Sequence, residues 1–373
     1  MKPTDLSPTF ADVDLRKLAE MTAPNRAFLS VYLAGPHSAA GLEKRFQRAR
    51  RVLRGGGEEK DEREYFDENV QAVLRYLSRH PLEAGSLCIF SCWALDFFQV
   101  VPLHAPVKDL VWIDSSPYIR PLAELQEEYE NVAVVVADNK RARIFLVSSA
   151  VAGSEEVVKG NVKNHVRKGG WSQQRYERRR DKQLLLYARE IVGALERLHD
   201  EEEFRRIVVV GSKEILQVVH ENLPQVLQSK VSEKALDVHR GEGAVNHDIM
   251  EVFFQQERQS ERDLWERIRD QYLCCSLGAV GLEDVVAAAK GGRVEAMIVN
   301  RTFKPEGRRC RDCGNLDISA VEVCSACGST SLFEVDLVNE IVEMLERSGA
   351  EVDFADPIPT LVAAGEIAAL LRY

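Results

Sequence analysis

Two Cys-x-x-Cys-Gly knuckles, Cys310-Arg-Asp-Cys313-Gly314 and Cys324-Ser-Ala-Cys327-Gly328, stand with ten residues between Cys313 and Cys324. No other feature of the chain restricts its folding as tightly. Four thiolates at this spacing can surround one tetrahedral Zn2+, and a glycine after each second cysteine relieves crowding where backbone amides turn toward sulfur. A closed four-sulfur shell leaves no coordination position open. The expected ion is therefore structural and supplies folding energy to a loop of roughly twenty residues. A pair of disulfides and an iron–sulfur cluster are the competing uses of four cysteines, and both suit ribbon spacing in a reducing compartment less well. The remaining cysteines, Cys88, Cys92, Cys274 and Cys275, lie in apolar runs where a reduced thiol packs as a small hydrophobe.

A chain of 373 residues, 45% hydrophobic and 29% charged, belongs with globular proteins of two or three domains and not with disordered, collagen-like or mucin-like ones. Its apolar runs, such as those at 132–137 and 207–210, are far shorter than a bilayer span, so no membrane partner is expected. The first residues lack the apolar core of a secretory signal, and a cytoplasmic location is expected. The net charge of −10 argues against a nucleic-acid coat protein, but charge is unevenly spread. Residues 163–182 hold eight Lys/Arg against two acids, whereas residues 270–373 hold nine against seventeen. One basic segment on an acidic molecule suits a single polyanion in a single orientation.

Hydrophobic periodicity predicts three domains, 1–128, 129–270 and 271–373, the last with a zinc ribbon inserted at 308–330. In the first, 12–20 and 62–79 have helical spacing, and 28–33 and 87–90 read as buried strands. Gly55-Gly56-Gly57 reads as a loop, because no strand precedes it and no Lys-Ser/Thr follows to make a phosphate cradle. In the second, 132–136 and 142–147 form a hairpin about a polar turn in which Asp138 makes local backbone contacts. A loop at 153–172, a helix at 173–198 and a strand at 207–210 follow. In the third, helices at 281–290 and 333–347 alternate with strands at 294–299, 351–354 and 367–371, which predicts an α/β sandwich.

The stretch from Val166 to Arg180 carries most of the chemistry. At about 100° per residue, Arg178, Arg179 and Lys182 fall within about 60° of Arg175, while Leu184, Ala188, Ile191, Leu195 and Leu198 fall about 140° to 220° away. Leucines can anchor such a helix while guanidinium groups, whose planar fork fits phosphate, face outward. Gly169 and Gly170 permit close backbone approach to a ligand. Trp171 either tucks into the domain or stacks on a base.

At these residues the chain resembles a known family. Lys168-Gly169-Gly170-Trp171-Ser172, followed by Arg175-Tyr176 and Arg178, looks like the Gly-Gly-Gln-Ser loop and Arg-Phe-x-Arg helix of archaeal and eukaryotic class I peptide chain release factors. Gly281-Leu282-Glu283-Asp284-Val285, Gly292-Arg293-Val294-Glu295, the two knuckles and the terminal Ile367–Leu371 with Arg372-Tyr373 are similar to that family's C-terminal domain. The resemblance implies an α/β chain of three domains: a variable α/β N-terminal domain, a ribonuclease-H-like middle domain and an α/β/α C-terminal domain with an inserted zinc ribbon. Two departures matter. Trp171 replaces the family's water-coordinating glutamine, and the Asn-Ile-Lys-Ser stop-codon signature is missing from 1–128. What remains resembles bacterial members such as the hibernation factor Balon, and Pelota, which occupies the ribosomal A site without release.

The implied function is A-site binding near the peptidyl-transferase centre without peptide release, in ribosome hibernation as a stress response or in handling of stalled ribosomes. Lys168, Gly169, Gly170, Trp171, Ser172, Gln173, Arg175, Arg178, Arg179 and Lys182 would contact rRNA and tRNA, and no catalytic residue is assigned. The implied partners are the ribosome and an elongation-factor-type GTPase, with the chain itself a monomer. A peptidyl-tRNA hydrolase using Ser172 or Gln173 is the alternative, and a zinc-ribbon protein binding structured RNA off the ribosome is a third reading.

Overall fold

The computed structural model describes residues 13–23, 25–54, 60–83, 85–103, 107–128, 132–137, 141–148, 151–159, 171–201, 204, 206–228, 230–235, 242–274 and 276–373. The chain divides into two compact units, Met1–Glu127 with Ser260–Tyr373, and Glu128–Gln259.

The first unit begins with α1 (Leu15–Ala19), capped by the Asp14 carboxylate, which accepts from the Lys17 N–H at 3.0 Å. β1 (Phe28–Leu33), β2 (Ser86–Cys92), β3 (Phe97–Leu103) and β4 (Leu110–Asp114) form an antiparallel sheet in the order β3-β2-β1-β4. Alternate residues of β1, namely Leu29, Val31 and Leu33, meet α2 (Leu42–Arg54) and α3 (Lys60–Arg79). Leu42, Phe46, Ala49 and Leu53 supply the inward stripe of α2 at helical spacing. α4 (Arg120–Glu128) ends this segment. The triglycine at 55–57 lies outside the described residues.

The second unit has β5 (Val132–Ala137), β6 (Arg141–Ser148), β7 (Val151–Lys159), α5 (Trp171–Glu201), β8 (Arg206–Gly211), α6 (Lys213–Asn222), α7 (Gln225–Gln228) and β9 (Val231–Ala235). Its sheet runs β7-β6-β5-β8-β9, with the first three strands antiparallel and β8 and β9 parallel to β5. That order and those directions are the ribonuclease-H-like arrangement the resemblance implied. Ala133, Val135 and Ala137, on one face of β5, pack in one core with Leu184, Ala188, Ile191, Leu195 and Leu198 of α5. The expected 153–172 loop is therefore a strand over its first residues. Pairing to β6 overrides the poor strand propensity of Gly153-Ser154-Glu155-Glu156. Asp138 lies outside the described residues.

α8 (Glu242–Cys274) is a 33-residue helix that periodicity did not suggest, because its apolar positions are diluted by charge. Trp265 and Ile268 from its second half cover one face of the last sheet, together with α11 (Pro359–Ala363). That sheet comprises β10 (Gly278–Val280), β11 (Val294–Asn300), β15 (Glu351–Ala355) and β16 (Ile367–Leu371) in the order β10-β16-β11-β15. α9 (Leu282–Lys290) and α10 (Leu337–Ser348) complete the α/β/α sandwich. β12 (Glu306–Cys310), β13 (Leu316–Asp317) and β14 (Leu332–Asp336) form the inserted ribbon. Phe333 is not helical: it zips to Arg309 in β14, and α10 starts only after Asp336, whose carboxylate accepts from the Val338 N–H at 2.9 Å. Cys274, expected in a core, is exposed at the end of α8, whereas Cys88 and Cys92 are buried as expected. Cys275 lies outside the described residues.

A buried polar seam ties the two ends of the chain within the first unit. The Tyr118 hydroxyl donates to Asp336 at 2.7 Å, Arg120 Nη1 to Asp336 at 3.1 Å, and Arg120 Nη2 to the Arg301 carbonyl at 3.0 Å. Asn339 Oδ1 accepts from the backbone of Ile119 and Arg120, and Ser116 Oγ donates to Glu343 at 2.8 Å.

Candidate functional site

Within the ribbon the four cysteine sulfurs lie within 4.8 Å of one another. Cys310 and Cys327 are 3.6 Å apart, as are Cys313 and Cys324. A tetrahedron with metal–sulfur bonds of about 2.3 Å has edges of about 3.8 Å, so the sulfurs already stand at the spacing of one closed four-thiolate shell. These distances are far beyond the roughly 2.05 Å of a disulfide, which removes that reading of the quartet. Gly314 and Gly328 take φ of 72° and 75°, and their N–H groups donate to the Cys310 and Cys324 carbonyls at 3.0 Å. Left-handed glycines thus close each knuckle, where a Cβ would be strained. Backbone N–H groups, first that of Cys327, lower the Cys324 thiol to about 7, whereas Cys327, though the Ser329 N–H lowers it, is carried up to about 12 by hydrogen bonds with Cys313 and Cys310.

The first knuckle also reaches beyond the ribbon. Arg311, between two of the cysteines, directs its guanidinium inward, where Nε and Nη2 meet Glu62 Oε1 at 3.0 and 2.9 Å. Arg26 holds the other oxygen of Glu62 at 2.8 and 3.2 Å. Glu62, on α3, is fully buried. Burial pushes its carboxyl up, but hydrogen bonds and charge from Arg26, then Arg311, outweigh this and leave it below the ordinary value. Both guanidiniums lie over the Phe333 ring, at 5.2 Å for Arg311 and 5.8 Å for Arg26.

On α5, Arg178, Arg179 and Lys182 are exposed and, among the described residues, have no acidic partner. Their neighbour Arg180 is half-buried and paired with Glu214 of α6. Trp171 opens the helix where a loop apex was expected, and Ser172, Gln173 and Arg175 follow in its first turns, since nothing from Trp171 onward breaks a helix. The side chains of these four, and Lys168, Gly169 and Gly170 altogether, lie outside the described residues.

A second cationic stripe went unread in the sequence. α2 carries six Lys/Arg and only Glu43 as acid. Arg45 and Arg50 are neutralised by Asp109 and Asp67, whereas Lys44, Arg48 and Arg51, on the crest opposite Phe46, are exposed and without an acidic partner among the described residues. The signal was present as six cations in a 13-residue helix, but it could not be told from a salt-bridged face until the pairing was known.

Residues 117–258 match the family model of bacterial archaeo-eukaryotic release factor family 10. No curated protein matches the chain. Among solved structures, the archaeal translation termination factor aRF1 is 16% identical over 96% of both chains with a TM-score of 0.27. Archaeoglobus fulgidus Pelota is 15% identical over 77% of this chain and 79% of its own, at 0.29. S. cerevisiae Dom34, a translation termination-like factor, is 11% identical over 80% and 76%, at 0.39. Residues 117–258 are thus similar to the bacterial archaeo-eukaryotic release factors of family 10, and the likeness is carried by that segment.

Proposed function

We propose that this chain is a ribosome-associated translation factor whose middle domain enters the A site with its Lys168-Gly169-Gly170-Trp171 tip toward the peptidyl-transferase centre, in hibernation or in stalled-ribosome handling. The observation that carries this reading is the exposed stripe Arg178, Arg179 and Lys182, without an acidic partner among the described residues, which lies inside the segment matched by the release-factor family model. Phosphates are the partner such a stripe selects, and Arg175, Ser172 and Gln173 extend the contact set toward the tip. Lys44, Arg48 and Arg51 give the N-terminal domain a second face of the same character. Trp171 stands where the release factors place a catalytic glutamine, so the factor occupies the site without cleaving the ester. Zinc is the ion for the four-cysteine centre, in a structural role, and an elongation-factor-type GTPase is the natural delivery partner. The three-part division at 1–128, 129–270 and 271–373 is kept as the functional one.

Pelleting with ribosomes tests the reading. If three phosphate contacts are lost in an Arg178→Gln/Arg179→Gln/Lys182→Gln variant, its salt slope falls by about 2–3, so wild type loses roughly 15–60-fold more affinity than the variant between about 50 and 200 mM salt. Equal slopes would refute the assignment. Ribosomes carrying acylated P-site tRNA should bind the protein with the ester intact, and cleavage with turnover would overturn the claim that release is absent.

A further inference from the structure

The guanidinium–carboxylate–guanidinium sandwich at Glu62 joins residues far apart in the chain. Arg26 and Glu62 belong to the N-terminal segment, while Arg311 and Phe333 belong to the ribbon. Arg311 is one residue from Cys310 and two from Cys313, so the conformation of the knuckle sets where its side chain points. Its backbone N–H donates to the Ser331 carbonyl at 2.9 Å, and its Nη1 donates to the Leu332 carbonyl at 3.4 Å. The side chain is 6% exposed, so it serves an interior contact and not a solvent-facing charge. By contrast, Phe333 lies on a strand paired over five residues with β12 and does not need the knuckle to stay in place. Arg311 is thus the member of the sandwich that lies inside a knuckle, directly after Cys310 and two residues before Cys313.

We propose that the four-cysteine centre is a metal-dependent clamp, in which metal binding holds Arg311 against Glu62 and so fastens the first turn of α3 and the Arg26 segment to the ribbon. Metal loss frees the first knuckle, withdraws Arg311, and leaves the buried Glu62 carboxylate with Arg26 alone, so this edge of the N-terminal domain loosens. The Tyr118 and Arg120 contacts to Asp336 lie elsewhere and keep the two segments joined. Metal load therefore tunes the docking of one edge and does not separate the parts. The inference rests on the reading of the cysteines as a metal site. Binding linkage is reciprocal: whatever factor the metal contributes to the Glu62 contact, that contact must return to metal affinity.

The full chain tests this in two ways. Hydrogen exchange of the metal-loaded protein is compared with that of protein stripped by a chelator. Peptides covering 26–33 and 60–70 are expected to exchange faster after stripping, along with 306–336. Unchanged exchange at 60–70 while the ribbon speeds up would overturn the clamp. Separately, zinc transfer to a chromophoric chelator is timed for wild type and Glu62→Gln, whose substitution lies far from every cysteine in sequence. Apparent zinc affinity is expected to fall by roughly 5–150-fold in the variant. Equal affinity would overturn the clamp even with one zinc bound per chain, whereas a purified chain holding no zinc would refute the metal reading itself.

Discussion

Arg120 is the most consequential single side chain of the seam. It is 2% exposed and serves Asp336, the Arg301 carbonyl and Glu124, the last at 2.8 Å. Arg120→Ala leaves Asp336, 8% exposed, without its guanidinium but still accepting from the Tyr118 hydroxyl and the Val338 N–H. Removing one partner of a buried ion pair costs about 3–5 kcal/mol, and the two surviving donors place this case near about 3 kcal/mol. For a unit of this size each kcal/mol moves the melting temperature by about 2–4 °C, so a fall of about 6–12 °C is expected. Calorimetry suits the measurement, because the two compact units need not melt together. The transition of the unit formed by the chain ends should shift, and that of residues 128–259 should stay. In a double-mutant cycle with Asp336→Asn the two losses should fall short of additive by more than about 1 kcal/mol. A loss below about 1 kcal/mol, or strict additivity, would mean that the seam is solvated and that the reasoning from burial is wrong.

Two further outcomes follow from the same unit. Burial pushes Glu340 up to about 8, with the Asp114 charge adding and Arg309 opposing, so its folded value lies above its unfolded one. Its contribution to stability is then full below about pH 4.5 and is lost as pH rises toward 8. The urea midpoint should decline over that window in wild type and decline less in Glu340→Gln, and a matching decline in both would exclude Glu340 as the source. At Gly307 a Cβ would lie 2.5 Å from Leu337 Cδ2 and 2.9 Å from the Asp317 carbonyl oxygen. Gly307→Ala should therefore destabilise the ribbon by about 1–3 kcal/mol, read as faster exchange at 306–336, and an unperturbed ribbon would show that Leu337 yields without cost.

The elements read correctly from sequence are those whose signal is local. The hairpin of β5 and β6, the strand β8, the glycine-ended α9 and the terminal β16 all carry period and punctuation within about ten residues. The elements missed or misread depend on distant partners. β7 is a strand because β6 offers it an edge, Phe333 leaves the expected helix because Arg309 stands opposite it, and α8 hides its buried stripe among charges. The stripe on α5 was legible because its apolar face is uninterrupted, whereas the stripe on α2 required knowing which cations Asp67 and Asp109 neutralise.

Cysteine spacing, glycine positions and the register of leucines against arginines on α5 are properties of neighbouring residues, so the chain alone determined a four-sulfur shell and an outward cationic helix. Three dimensions decided which charges are free and which are spent. Glu62 meets Arg311 across 249 positions and Tyr118 meets Asp336 across 218. No local pattern encodes such pairs, because a carboxylate and a guanidinium choose each other only after the surrounding core has removed water from both.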